Sequence, residues 1–185
     1  MADFRLETER LVLRDWRDAD WPRFWQATNT PAVMRWLGGV ADEAGQAAAQ
    51  ERLLSYRRDH GFTFWALERL ADGELLGFCG LKRCNQDGGP IGMVEIGWRL
   101  REDAWGQGYA REGAQASLDL AFDHFGAEEV CALTVEGNGA SWGLMRRLGM
   151  ERRVDLDFDN GDFDSESGRV IVYSIGRHSW RGLAA

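Results

Sequence analysis

An α/β domain is the fold class that the sequence predicts, and three observations carry it. The hydrophobic pattern changes near residue 61, from helical spacing to short strand-like runs. Between residues 93 and 135 a strand, a glycine-rich turn, an amphipathic helix and a second strand follow one another, which is a βαβ unit. The length of 185 residues, 44% apolar and 28% charged, suits one domain over 1–185. A chain of that size buries about 70% of its unfolded surface, so no disulfide staple is required.

The elements follow in order. Residues 10–14, Arg-Leu-Val-Leu-Arg, form a β-like run, and Asp15 and Asp18 then supply helix-start chemistry for a helix over 18–29. A second helical stretch over 30–37 stops at Gly38-Gly39, and a third over 43–60 ends before Gly61. Residues 62–70 and 74–82 read as strands joined by Ala71-Asp72-Gly73, whose Asp-Gly pair is a hairpin signal. A loop at 85–90 leads to a strand over 93–100. Ala110, Ala114, Leu118, Ala121, Phe122 and Phe125 then make one apolar helical stripe that Gly126 ends. The apolar run 130–135 reads as a strand buried on both faces, parallel to 93–100 through a right-handed crossover. A helix over 140–148 ends at Gly149. Two last strands, 152–158 and 170–176, flank an acidic loop.

Composition excludes several function classes. Thirty acidic against 22 basic residues leave a net charge of -8, which repels phosphate backbones and disfavours nucleic-acid and anionic-membrane binding. Cys79, Cys84 and Cys131 are an odd number without a C-x-x-C pair, which argues for a reducing compartment and against structural zinc. No apolar run reaches the 18 or so residues of a membrane span, and a cytoplasmic location is expected. His60, His124 and His178 stand apart, in no metal-ligand spacing and no Ser-His-acid arrangement. No metal is expected. Nine tryptophans exceed what a core of this size needs, and their indole N–H groups seek partners at cleft edges or interfaces.

The segment Trp105-Gly-Gln-Gly-Tyr-Ala110 has the character of an anion site. Its main-chain N–H groups open a helix, where the dipole adds about half a positive charge. Two phosphate motifs fail here. A dinucleotide fingerprint needs glycine where Arg111 stands, and a P-loop needs Gly-Lys-Ser/Thr where Gly113-Ala-Gln115 stands. A turn that uses glycine only for its backbone geometry is the alternative.

The same segment resembles the acyl-CoA pyrophosphate loop of the GCN5-related N-acetyltransferases (GNAT), of usual form Gln/Arg-x-x-Gly-x-Gly/Ala. Gly108 and Ala110 match, and Trp105 at the first position resembles the RimJ/RimL branch of ribosomal-protein N-terminal acetyltransferases. Leu6-Glu-Thr-Glu-Arg-Leu-Val-Leu-Arg14, Glu95-Ile-Gly-Trp98, Asn138-Gly-Ala-Ser141 and Leu148-Gly-Met150 resemble the branch's other segments, in the same order and spacing.

The resemblance implies a single GNAT-like domain with a mixed, mostly antiparallel sheet. Two parallel strands, here 93–100 and 130–135, splay apart to take the pantetheine arm like an extra strand. Gly97 fits a bulge that opens such a cleft. The implied activity is direct, acetyl-CoA-dependent transfer to a primary amine, on a peptide N-terminus or a small molecule. A non-catalytic acyl-CoA sensor on the same fold is the alternative. The resemblance assigns cofactor contacts to Trp98, Arg99, Leu100, Trp105, Gly106, Gln107, Gly108, Tyr109, Ala110 and Asn138. A main-chain N–H near Arg99 or Leu100 would polarise the acetyl carbonyl, and Arg111 adds a cation in the first helical turn.

Ser141 is the candidate acid for the departing thiolate, or else a first-turn helix residue. Asn138 contacts the pantetheine, caps the helix, or does both. Glu95 shares a strand face with Gly97 and Arg99; it is the candidate base, with an ion pair to Arg99 as the alternative. Asp155, Asp157, Asp159, Asp162, Asp164 and Glu166 could draw a cationic amine, or form a solvated hairpin. Cys131 is expected to be a core residue. The tryptophan excess is compatible with a homodimer.

Overall fold

The computed structural model describes residues 3–160 and 169–183. One sheet forms the centre, in the order β1 (Arg5–Glu7), β2 (Leu11–Arg14), β3 (Phe64–Arg69), β4 (Leu75–Arg83), β5 (Val94–Leu100), β6 (Glu129–Val135), β9 (Arg169–Gly176) and β7 (Glu151–Arg152). The short β8 (Phe158–Asp159) also pairs with β9. Every pairing among the described residues is antiparallel except β5 with β6. The mixed α/β architecture is therefore the one the sequence predicts.

Helices cover both faces. On one lie α1 (Asp20–Thr28) and α3 (Glu43–His60), with Trp21, Phe24 and Leu53 packed against Ala66 and Leu75. On the other, Ala114 and Leu118 of α4 (Tyr109–Asp119) meet Leu67, Ile96 and Leu100 in the larger core. The short α2 (Pro31–Met34) follows α1, α5 (Gly139–Arg147) follows β6, and α6 (Arg177–Leu183) ends the described chain. No helix is long and apolar enough to cross a membrane.

Local chemistry sets the boundaries. Asp42 caps α3 by accepting from Gly45 N at 2.8 Å, and Gly61 at φ 78 stops it. The start of α1 is built differently from expectation. Asp15 is drawn away to Phe4 N and Arg57, and Asp18 is exposed. It is Asp20 that accepts from Arg17 N, while pairing with buried Arg14 at 2.7 Å. That pair fastens α1 to β2.

Two further expectations are corrected. Gly97 is not a bulge, because the β4–β5 register runs unbroken through Gly80↔Gly97. A Cβ there would lie 2.7 Å from the Phe64 ring, so glycine makes room for Phe64 stacked on Phe78. The run 152–158 is not one strand but β7, a 3-10 turn over Val154–Leu156, and β8. Asp157 pulls the chain around: it pairs with Arg152 and accepts from Val172 N at 3.0 Å. Of the acidic run, Asp162, Asp164 and Glu166 lie outside the described residues.

Candidate active site

The parallel pair β5–β6 opens almost at once. Its register holds only Val94↔Val130 and Glu95↔Cys131, although each strand has seven residues. Beyond those pairs the facing edges diverge toward their C-terminal ends. Alternation shows which groups face the gap. Met93 O accepts from Cys84 N, and Arg101 N donates to Leu76 O, so odd positions of this stretch turn toward β4. Trp98 and Leu100 therefore direct their N–H groups at the splay. Of the two polarising N–H groups that the resemblance named, Leu100 has the right orientation and Arg99 does not.

The glycine turn stands at the mouth of this gap. Gly106 and Gly108 adopt φ 72 and 82, the left-handed region that glycine enters without strain. The main-chain N–H groups of residues 106–111 have no acceptor among the described residues. Six N–H groups without acceptors at the start of an 11-residue helix are the kind of donor set that an anion cradle requires. Trp105, exposed at the first position, donates its indole N–H to Leu100 O at 2.9 Å and so ties the turn to the strand end. Gln107 Nε2 reaches Asp103 O at 2.6 Å. Tyr109 is buried, whereas Arg111 is exposed and makes no ion pair among the described residues.

Sequence reasoning missed two residues here. Arg10 donates to Gln107 O at 3.0 Å, lies over the Tyr109 ring at 4.7 Å, and has Nη2 only 3.3 Å from where a Cβ on Gly108 would stand. Glu112 holds it at 2.7 Å. Burial pushes the Glu112 carboxyl up, but bonds from Thr8 and Arg10 outweigh it and leave it below the usual range. A second cation thus flanks the cradle, brought by the chain's first hairpin.

Across the gap, Asn138 caps α5 through Oδ1, which accepts from Ser141 N at 3.3 Å. Half-buried Ser141 has no partner for its hydroxyl among the described residues. Trp36 closes over the preceding turn, where a Cβ on Gly137 would meet its ring at 2.8 Å. Both Ser141 and the glycine turn therefore follow the C-terminal ends of the two splayed strands.

Glu95 sits where β5 and β6 still pair, and it is buried. Burial raises its carboxyl above the usual carboxylate range. Its counter-ion is not Arg99 but Lys82, directly opposite on β4, with Oε2 at 2.7 Å from Nζ. That contact lies off the line of a hydrogen bond, and Nζ donates instead to Asn85 and Gln86 at 2.9 and 3.1 Å. Cys131 packs with Cys84, Phe158 and Val172, and burial pushes its thiol far up, consistent with a core residue.

Two concavities lie elsewhere, about 160 Å³ beside Glu129, Arg153 and Ser174 and about 300 Å³ beside Arg69, Glu74 and Arg101. Neither is lined by the diverging C-terminal ends of β5 and β6. No group of three His, Cys, Asp or Glu residues among the described residues could hold a metal ion.

Known proteins share this fold. The family described as Acetyltransferase (GNAT) domain matches residues 10–151. The Bacillus subtilis (strain 168) protein YkkB is 31% identical over 155 residues, 80% of this chain and 86% of its own. An acetyltransferase from Agrobacterium tumefaciens str. C58 superposes with a TM-score of 0.81 at 23% identity, over 96% of each chain. A ribosomal-protein-S5-alanine acetyltransferase from Vibrio fischeri gives 0.73 at 15% identity, over 96% of this chain and 99% of the other. The last two likenesses speak to the fold. The chain belongs to the GNAT family, whose members are acetyl-CoA-dependent acyltransferases.

Proposed function

We propose that the chain transfers acetyl from acetyl-CoA directly to a primary amine, as one catalytic domain of the RimJ/RimL type. The observation that carries this reading is the coincidence of unpaired strand edges with a cradle of unpartnered N–H groups at one mouth. Pyrophosphate fits the N–H groups of 106–111, flanked by Arg10 and Arg111. The two amides of a pantetheine arm fit the facing edges of β5 and β6, as an added strand would. Trp105 at the first position of the turn supports the branch.

Each step has a residue. The N–H of Leu100 polarises the acetyl carbonyl as negative charge develops on its oxygen. Glu95 lies back along β5 where the strands still pair, so it takes the amine's proton through intervening water, and the raised affinity of its carboxyl for protons supports a base. Ser141 gives a proton to the departing thiolate, and its free hydroxyl is available to do so. A cytoplasmic, dimeric enzyme accords with three unpaired cysteines and the tryptophan excess.

Release of CoA thiol, followed over a panel of amino acids, peptides, polyamines and aminosugars, tests the reading. Turnover well above background with at least one amine is the expected result. Tight acetyl-CoA binding without turnover on any amine would assign the chain to the sensor class instead.

A further inference from the structure

The described carboxylates of the acidic C-terminal run, Asp155, Asp157 and Asp159, are already engaged. Arg153 pairs with Asp155 at 2.8 Å, Arg152 with Asp157, and Arg169 reaches Asp159 at 3.7 Å. Those three carboxylates are neutralised by arginines of their own segment. Among the described residues, the buried charge without an ion-pair partner lies on β5, on the face opposite α4.

Arg99 is that charge. Its side chain is nine-tenths buried, and no carboxylate comes within ion-pair distance among the described residues. The guanidinium lies 4.9 Å over the Phe24 ring and 5.3 Å over the Trp25 ring. It uses one of its N–H groups, Nη2, to donate to Thr28 O at 2.9 Å at the end of α1. Nε is buried with no acceptor, while Nη1 is neither enclosed nor bonded. Burial alone draws its pKa down to about 10. An arginine buried this far without a counter-ion is costly unless a ligand supplies one.

Its position says which ligand. Arg99 stands next to Leu100, whose N–H faces the splay, and shares its strand face with Gly97 and Glu95 about 13 Å away along the strand. Partly exposed Trp25, Phe64 and Phe78 line the same face. We propose that Arg99 is a specificity residue that receives a carboxylate of the acceptor, so that the favoured acceptors are amino acids with a free carboxyl group and not peptide N-termini. This rests on the acetyltransferase reading and narrows its acceptor class.

The experiment compares amino acids with their carboxamides, matched in side chain, in acetyl transfer by the wild type, Arg99→Gln and Arg99→Lys. In the wild type the best carboxylate acceptor should exceed its carboxamide at least about tenfold in kcat/KM, as a charge-assisted bond requires. Arg99→Gln should bring that ratio close to one, and Arg99→Lys should keep part of it. Because each ratio is taken within one variant, loss of folded protein cancels. Should Arg99→Gln fail to fold, the reduced ratio of Arg99→Lys decides. Ligand-observed NMR of N-acetyl amino acids and their amides, with CoA present, reads the same preference without turnover. Turnover with amides and peptides but no carboxylate preference, or a preference that survives Arg99→Gln, overturns the proposal and leaves the acetyltransferase reading standing. In that case Arg99 only tethers the end of α1. No turnover on any amine overturns the reading itself, and the NMR preference then stands or falls alone.

Discussion

Gly108→Val weakens CoA binding by about a hundredfold or more, the loss of one or two charge-assisted bonds of roughly 1.5–3 kcal/mol each. The backbone at Gly108 has φ 82, where a β-branched residue is strained. Its Cβ would also stand 3.3 Å from Arg10 Nη2, in the space beside the cradle. The substitution therefore turns N–H groups away from the phosphates and displaces the flanking cation together. Gln107→Ala should change affinity little, because its amide is engaged with Asp103 O and its contribution to the cradle is main-chain. Calorimetric titration of both variants with CoA separates these cases. Equal affinities would show that the turn uses glycine for geometry and not for the ligand.

Ser141→Ala is expected to lower kcat by about a hundredfold, the lower end of general-acid effects because a thiolate leaves readily. Acetyl-CoA affinity should hardly move, since the bond strengthens only as charge develops on sulfur. The defect should shrink as pH falls, when solvent supplies the proton more easily. Stability should also be nearly unchanged. The cap bond to Asn138 is made by the main-chain N–H of residue 141, which alanine retains, and the hydroxyl makes no bond to lose. A normal kcat, with chemistry shown to limit the rate, would remove Ser141 from the mechanism.

What the sequence revealed and concealed follows from the range of the interactions involved. The 43–60 helix was legible to the residue because its cap, Asp42, and its stop, Gly61, are local signals. The βαβ unit and its glycine turn were legible for the same reason. The segment 152–158 misled because Val154, Leu156 and Phe158 alternate as in a strand, while the Arg152–Asp157 ion pair that breaks it acts through space. Arg10 and Glu112, 102 residues apart, meet only when the first hairpin docks on α4. Lys82 becomes the partner of Glu95 through the β4–β5 register, which a single strand's alternation cannot supply; alternation alone offered Arg99.

Amide hydrogen exchange with and without CoA tests the central claim most directly, that the splay and its glycine turn hold the cofactor. In the free protein the N–H groups of 106–111 lack acceptors and those of Trp98 and Leu100 face the gap, so they should exchange readily. Saturating CoA is expected to slow exchange at residues 106–111 and at the end of β5, with little change beside Glu129 and Arg153. Unaltered exchange across 106–111, with protection confined to the other end of the sheet, would contradict the account.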